Sequence, residues 1–382
     1  MRRIWPEKRA WRARCSAAAV LVWIAAAAPG AWASGTEAGA DVRVPGPGRE
    51  PQLFFTCCDK GAGAAEQLLG DPKVIAQLKE LHAGIAMALP ELDSKRAAMV
   101  RGLNAEGIPA IAGIQLPKSG TYINAEDFPQ ARAAVTAFEA WSQQNGLHWE
   151  AVGLDIEPNF GELGRLREHP LTLARLLLSR YFERGRVLRA RTEYAGLIRQ
   201  LQQNGYRVET VQLPLIVAER QTHSTVLERL LGIVDVRGDQ EALMLYTSFA
   251  PPDVGAGILW ALGPDAQAIA VGSTEGPRGL VLNWRDFSQD LLIAAHFTHT
   301  VGVYNLEGCV QQGFLARLES MDWNQTASIP ATEIRKAQRR VAFACALVWV
   351  GTWMPAILAV LLLAIALVWM APWRRKAPSR RA

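Results

Sequence analysis

Residues 149–159 read Trp-Glu-Ala-Val-Gly-Leu-Asp-Ile-Glu-Pro-Asn. Side chains alternate along a strand, so Val152, Leu154 and Ile156 share one face, and Gly153, Asp155 and Glu157 share the other. Similar β-rich apolar runs occupy 52–57, 83–89, 109–116, 206–215, 242–249, 266–272 and 298–306, which with 149–157 makes eight. Stretches with helical spacing lie between and after them, at 64–81, 94–106, 125–145, 173–203, 224–234, 255–262, 284–296 and 313–321. Continuous apolar strands separated by helices read as buried parallel strands joined by right-handed crossovers. Eight such units within 52–323 match the (β/α)8 TIM barrel, whose usual size is about 250 residues. A doubly wound open sheet is the rival, but no Gly-x-Gly-x-x-Gly follows the first run.

The two ends stand outside this pattern. Residues 1–33 begin with a basic stretch, continue with an apolar run from Cys15 to Ala28, and finish on Ala31-Trp32-Ala33, the layout of a secretory signal peptide. An uncleaved anchor is the other reading, and either one exports the downstream chain. Residues 34–51, rich in Gly and Pro, are expected to be a flexible lead-in, and 324–340 a linker. Residues 341–370 contain no charged side chain and are expected to form a transmembrane helix in the lipid bilayer. At about 1.5 Å per residue they exceed the ~30 Å hydrocarbon core, so tilt, a kink at Pro355 or partial interfacial placement is expected. Trp349, Trp353, Trp369 and Trp373 mark its two ends, and 371–382 form a basic cytoplasmic tail. The barrel then faces the periplasm or cell exterior.

The ends also explain the charge. The chain of 382 residues has 41 Lys+Arg against 36 Asp+Glu, for a net +5. Residues 34–334 alone carry 26 basic and 35 acidic side chains, a net −9. An acidic exported body excludes a nucleic-acid partner, because phosphate neutralisation needs the opposite sign. At 50% hydrophobic residues the chain is not disordered. Nine arginines fall between Arg165 and Arg199, in a segment longer than one crossover needs. An extra helix or a long loop is expected there, its charge forming either a solvated helix face or a contact with an anionic membrane surface or polymer.

The exported part keeps Cys57, Cys58 and Cys309. Closing the barrel makes the first and last strands neighbours, so a disulfide from Cys309 to Cys57 or Cys58 is expected at the seam. The six histidines (His82, His148, His169, His223, His296, His299) and the cysteines show no metal-ligand spacing, and neither metal nor cofactor is expected.

Active sites of such barrels lie at the carboxyl ends of the strands. Asp155 and Glu157 then point into the mouth, where mutual repulsion and burial should leave one of them protonated near neutral pH. Glu157, nearer the opening, suits a general acid and Asp155 its orienting partner. Gly153-Leu-Asp-Ile-Glu157 resembles the strand-4 signature Asp-x-x-Asp-x-Asp-x-Glu of chitinase-like barrels, glycoside hydrolase family 18, with Gly153 in place of one Asp. Leu243-Met-Leu-Tyr246-Thr resembles the family's Met-x-Tyr-Asp, with Thr247 in place of the Asp, and Gly302-Val-Tyr-Asn-Leu-Glu307 is similar to its closing strand without the usual Trp. The resemblance implies that Glu157 protonates the leaving oxygen while the substrate's own N-acetyl group attacks the anomeric carbon. It implies too that Asp155 and Tyr246 hold that acetamide.

A double displacement would instead need a second carboxylate about 5 Å away, or about 6.5–9.5 Å for inversion. Strand-end candidates are Glu219, Glu275, Glu307 and Asp59, with Glu219 first because Glu219-Arg220 follows the fifth run. Sugars stack on flat apolar faces, for which Tyr122, Phe160, Tyr246, Trp284 and Tyr304 stand at or past strand ends, and Lys118 or Arg220 could meet an anionic sugar. The functional expectation is a glycoside-hydrolase-like barrel acting on an envelope or extracellular, amino-sugar-containing glycan. The alternative is a catalytically inactive barrel that binds envelope glycan or a partner protein. Metal-assisted phosphodiester cleavage is a third reading that lacks histidine ligands.

Overall fold

The computed structural model describes residues 40–58, 61–116, 122–159, 162, 164, 169–251, 253–276 and 281–374. Residues 1–33, expected to be an export signal, and Asp59, Lys118, Phe160 and the tail from Arg375 lie outside the described residues. In chain order the elements are β1 (Val42–Val44), β2 (Gln52–Cys57), α1 (Ala62–Leu69), α2 (Pro72–Glu80), β3 (Gly84–Leu89), α3 (Ser94–Ala105), β4 (Ala110–Ile114), α4 (Phe128–Gln144) and β5 (Ala151–Ile156). Then come α5 (Pro170–Tyr181), α6 (Arg184–Gln203), β6 (Val208–Gln212), α7 (Leu215–Thr222), α8 (Val226–Leu231), β7 (Gln240–Met244), α9 (Gly257–Leu262), β8 (Ala268–Gly272) and α10 (Trp284–Phe297). The chain continues through β9 (Thr300–Tyr304), α11 (Leu306–Gln311), α12 (Phe314–Leu318), β10 (Ala327–Ile329) and α13 (Ala331–Arg374).

Strands β2 to β9 form one closed barrel in sequence order. All its pairings are parallel, and β2 closes against β9 with Gln52 opposite Thr300 and Phe55 opposite Val303. The eight apolar runs are these eight strands. Their outward faces, including Leu53, Phe55, Ile85, Met87, Leu154, Ile156, Val301 and Val303, are fully buried beneath the helices, as parallel strands covered on the outside require.

Two segments differ from expectation. The lead-in is not wholly extended chain: β1 pairs antiparallel with β10, Val42 opposite Ile329 and Val44 opposite Ala327. Val44, Ala327 and Ile329 are buried, so the apolar residues of two short polar-flanked segments supply each other's backbone partners and a shared core contact.

The C-terminal helix also starts earlier than expected, at Ala331, and runs unbroken through Pro355 to Arg374. Its first half is part of the barrel wall. Ile334, Ala337 and Val348 are buried; Lys336 and Arg340 reach Asp253 at 3.2 and 3.1 Å; Thr352 Oγ1 donates to Ser224 Oγ at 2.7 Å; and the Tyr181 hydroxyl donates to the Gly351 carbonyl. A Cβ on Gly257 would stand 2.6 Å from the Glu333 carbonyl oxygen, so α9 lies directly against α13. From Trp353 to Leu367 the residues are exposed, and the helix is long and apolar enough to cross a membrane. The excess length noted in the sequence is therefore the docked portion. Residues 353–373 span about 31 Å at 1.5 Å per residue, close to a hydrocarbon core.

The arginine-rich segment forms α5 and α6, an added helix followed by the crossover. Arg180 pairs with Glu126 at 2.9 Å and Glu162 at 2.8 Å; Arg186 with Glu126 and with Glu183; Arg191 with Glu228. Yet Leu171 and Leu178, seven residues apart on α5, and Phe182 just past its end are 78, 63 and 67% exposed.

Candidate functional site in the barrel mouth

The strand pleat decides what faces the barrel axis. Thr56, Ala86, Ala88, Gly113, Gly153, Ala242, Ala270 and Gly302 line the interior. Barrels of this kind are ordinarily filled there by bulky branched side chains; small ones leave a cavity of about 330 Å³. Its floor is Phe54 and Ile111, a separate small apolar cluster with Ala151. The Phe54 ring lies over Gly84, where an added Cβ would come within 2.3 Å of it.

Five of the expected site residues meet in this cavity: Asp155, Glu157, Tyr122, Tyr246 and Tyr304. Asp155 and Glu157 project inward from the end of β5, as alternation requires. Residues 122–124 lie beside that end: Ile123 N–H donates to the Asp155 carbonyl at 3.0 Å, and Glu157 N–H donates to the Ile123 carbonyl at 3.1 Å. That bridge fixes the backbone on both sides of the carboxylates and brings Tyr122 to the wall. Tyr246 and Tyr304 approach with ring centroids 5.7 Å apart.

The electrostatics follow from burial. Desolvation, then the charge of Glu209, pushes Asp155 up to about 7, and its Oδ1 is buried without a hydrogen-bond partner. Burial likewise raises the Tyr246 hydroxyl well above its ordinary range, with Asp155, Glu157 and Tyr304 adding to it. A carboxyl that keeps its proton near neutrality beside other carboxyls is an arrangement acid–base chemistry uses. Asp155 is one such group here.

No family model matches the chain. Curated proteins give no match either. Among solved structures, a mutant tryptophan synthase alpha-subunit from the hyperthermophile Pyrococcus furiosus is similar at TM-score 0.36 and 14% identity, covering 72% of this chain and 98% of that one. ScGas2 in complex with compound 8 is similar at TM-score 0.36 and 12% identity, covering 80% of this chain and 68% of that one. Likeness at this level says nothing of chemistry. The barrel rests on its own hydrogen-bonded ladder, and the site on its own geometry.

The other expected residues lie elsewhere. The strand before Glu219 ends at Gln212, and Pro214 starts α7, so Glu219 follows helical rather than strand geometry. It turns away from the axis and accepts the backbone N–H groups of Leu227 and Glu228 at 2.7 and 3.0 Å. Arg220 is held outside the barrel by Asp235 and by both oxygens of buried Glu241, at 2.7 and 2.6 Å. Trp284 opens α10 and packs on Phe287 and Phe314, with Arg317 over its ring at 5.6 Å. Glu307 stands in the first turn of α11 and accepts the Cys58 N–H at 2.9 Å. Glu275 accepts from the Asn305 amide at 3.2 Å.

The seam disulfide is corrected. Cys57 and Cys58 are bonded to each other, and Cys309 is a free, buried thiol. Closure does bring the two strand ends together, but β9 stops at Tyr304 and Asn305 caps α11 by accepting from Gly308 N–H at 3.0 Å. This turns Cys309 toward Thr274, 3.7 Å from its Oγ1. Glu307, not Cys309, bridges to β2.

Glu209 was not singled out in the sequence. It faces inward on β6 opposite Gly153, and burial pushes it up to about 7 against the pull of Arg207. Counting strand parity from Val208 would have found it. Asp290 was also missed: this buried helix residue, pushed up to about 8 by burial, accepts from Thr247, the position where the resembled motif has an Asp.

Proposed function

We propose that the chain is a membrane-anchored, exported glycoside hydrolase of the family-18 type, acting on an amino-sugar-containing envelope or extracellular glycan. The observation that carries this reading is the convergence of Asp155, Glu157 and Tyr246 in one cavity at the carboxyl mouth of the barrel. Glu157 gives its proton to the glycosidic oxygen as that oxygen's bond to the anomeric carbon breaks. The substrate's acetamide oxygen closes on the same carbon. Water then adds there and returns a proton to Glu157, so one water is consumed and the protein is restored. Asp155 acts on the acetamide, whose N–H would satisfy the unpartnered Oδ1. Tyr246 supplies a hydroxyl held neutral by burial, and Tyr122 and Tyr304 supply flat faces for sugar rings.

The single-span helix supports the anchoring, with the framing Trp349, Trp353 and Trp369 at the headgroup levels. The export segment favours a barrel outside the cytoplasm. The alternative, a barrel that binds glycan without cleaving it, draws on Thr247, whose hydroxyl is already engaged by Asp290. Turnover and binding of N-acetylated oligosaccharides by the full chain and by Glu157→Gln separate the two. An enzyme loses about 10²- to 10⁴-fold in turnover while keeping affinity, whereas a binding module shows unaltered binding and no turnover in either form. Neither binding nor cleavage by the parent chain refutes both.

A further inference from the structure

The cavity has two unlike walls. The polar groups sit on the barrel side. The opposite side is formed by Leu215 and Ala218 of α7, Phe249 and Ile258 around the β7–α9 connection, and Val341 and Ala344 of α13. A soluble oligosaccharide presents hydroxyls at its edges and stacks its faces on aromatic rings, whereas this wall is aliphatic apart from Phe249. We propose that the substrate is an amphiphile, an amino sugar joined to a lipid tail, and that the tail lies along this wall between α7, α9 and α13. The proposal takes its headgroup from the glycosidase reading above, while the tail site stands on the wall itself.

The occupant is set by continuity with the apolar helix. Ala344 lines the cavity, and Thr352, the last residue of α13 bonded to the barrel, is eight residues on, about 12 Å along the axis. Beyond it the exposed apolar run begins, so the wall opens within a headgroup's reach of the hydrocarbon the helix is built to enter. Tyr181 binds the Gly351 carbonyl, which sets the end of α5, with exposed Leu178 and the following Phe182, beside that same turn. A tail drawn from the bilayer thus has apolar contact along its path. Arg340 stands where the walls join: one nitrogen pairs with Asp253, while Nη1 is buried with no hydrogen-bond partner. That donor suits an anionic linker between sugar and tail.

The test uses the full chain in lipid nanodiscs with methyl, octyl and dodecyl N-acetylglucosaminides and with dodecyl phosphate, each corrected for uptake by empty discs. Affinity should rise about fourfold for each added methylene that the wall buries, and Ala218→Trp, which fills the wall, should abolish the rise. A dodecyl glycoside with a photoreactive chain end should label residues 341–344 or α7, a readout independent of any variant's folding. Methyl glycoside bound or cleaved with no dependence on chain length, or labelling confined to 353–367, overturns the tail site and leaves the glycosidase reading intact. Dodecyl phosphate bound while no glycoside binds does the reverse. If nothing binds, both fall.

Discussion

Ending the chain after Thr352 rather than after Pro330 separates a helix that belongs to the barrel from one that merely leaves it. Both truncations lack the exposed run from Trp353. The shorter one also removes Ile334, Ala337 and Val348, exposed 6, 0 and 5% in the intact protein, and uncovers the faces of α7 and α9 beneath them. Burying a Val or Ile side chain contributes about 1.5–3 kcal/mol. Ile334 and Val348 with the partner surface they cover therefore account for about 5 kcal/mol, an upper figure because an unfolded chain is partly compact. The ion pairs of Asp253 add little, since its side chain is 46% exposed. At about 2–4 °C per kcal/mol for a domain near this size, the chain ending at Pro330 should melt about 10–20 °C below the chain ending at Thr352, as followed by calorimetry. Melting temperatures within about 3 °C of each other would refute the docking of α13 as a structural part of the barrel.

Asp155, Glu209 and Asp290 all sit above the ordinary carboxylate range because burial disfavours their charge. A raised carboxyl keeps its proton when folded and loses it when unfolded, so the folded state binds more protons between about pH 4 and 7–8. Stability should fall across that window, by up to about 1.4 kcal/mol per pH unit for each group, and urea midpoints at pH 5 and 8 check the sign. Glu209→Gln removes a like charge from Asp155 and should lower its apparent pKa, read by carboxyl NMR; a value that stays put or rises contradicts the coupling. Arg220→Ala leaves buried Glu241 only its longer 3.8 Å contact with Arg237 and should cost about 3 kcal/mol in chemical denaturation while ligand affinity holds, since neither Arg220 nor Glu241 lines the cavity. Peptide mapping should find Cys57 bonded to Cys58, with Cys309 modified by alkylating reagents only after unfolding.

Legibility in the sequence depends on which interactions are local. A strand covered by helices on one side and closed into a barrel must be apolar almost throughout, so runs such as 52–57 and 298–306 enclose β2 and β9. Alternation along 149–157 then gave Asp155 and Glu157 their inward direction without tertiary information. Parity fails where a strand ends, and β6 ends at Gln212: past Pro214, which caps α7, Glu219 and Arg220 obey a helical period, and their partners at Leu227, Asp235 and Glu241 are set by folding back. Adjacent cysteines carry no sign of whether they join each other. A membrane-grade apolar helix looks the same whether protein or lipid touches it, so the docked turns from Ala331 to Thr352 are invisible until the face of α9, bare at Gly257, is seen against them.

The unbroken passage of α13 from barrel wall to exposed apolar run has a kinetic consequence. A flexible tether would let the barrel sweep a hemisphere and sample ligands at many heights. On the membrane-anchored reading proposed above, a single stiff helix would fix altitude and tilt, leaving drift in the plane of the bilayer and spin about its normal as the remaining freedoms. The search for a substrate would then be two-dimensional. Ligands confined to the same plane would meet the mouth already oriented, and those farther out than the mouth's fixed height would go untouched however abundant they are.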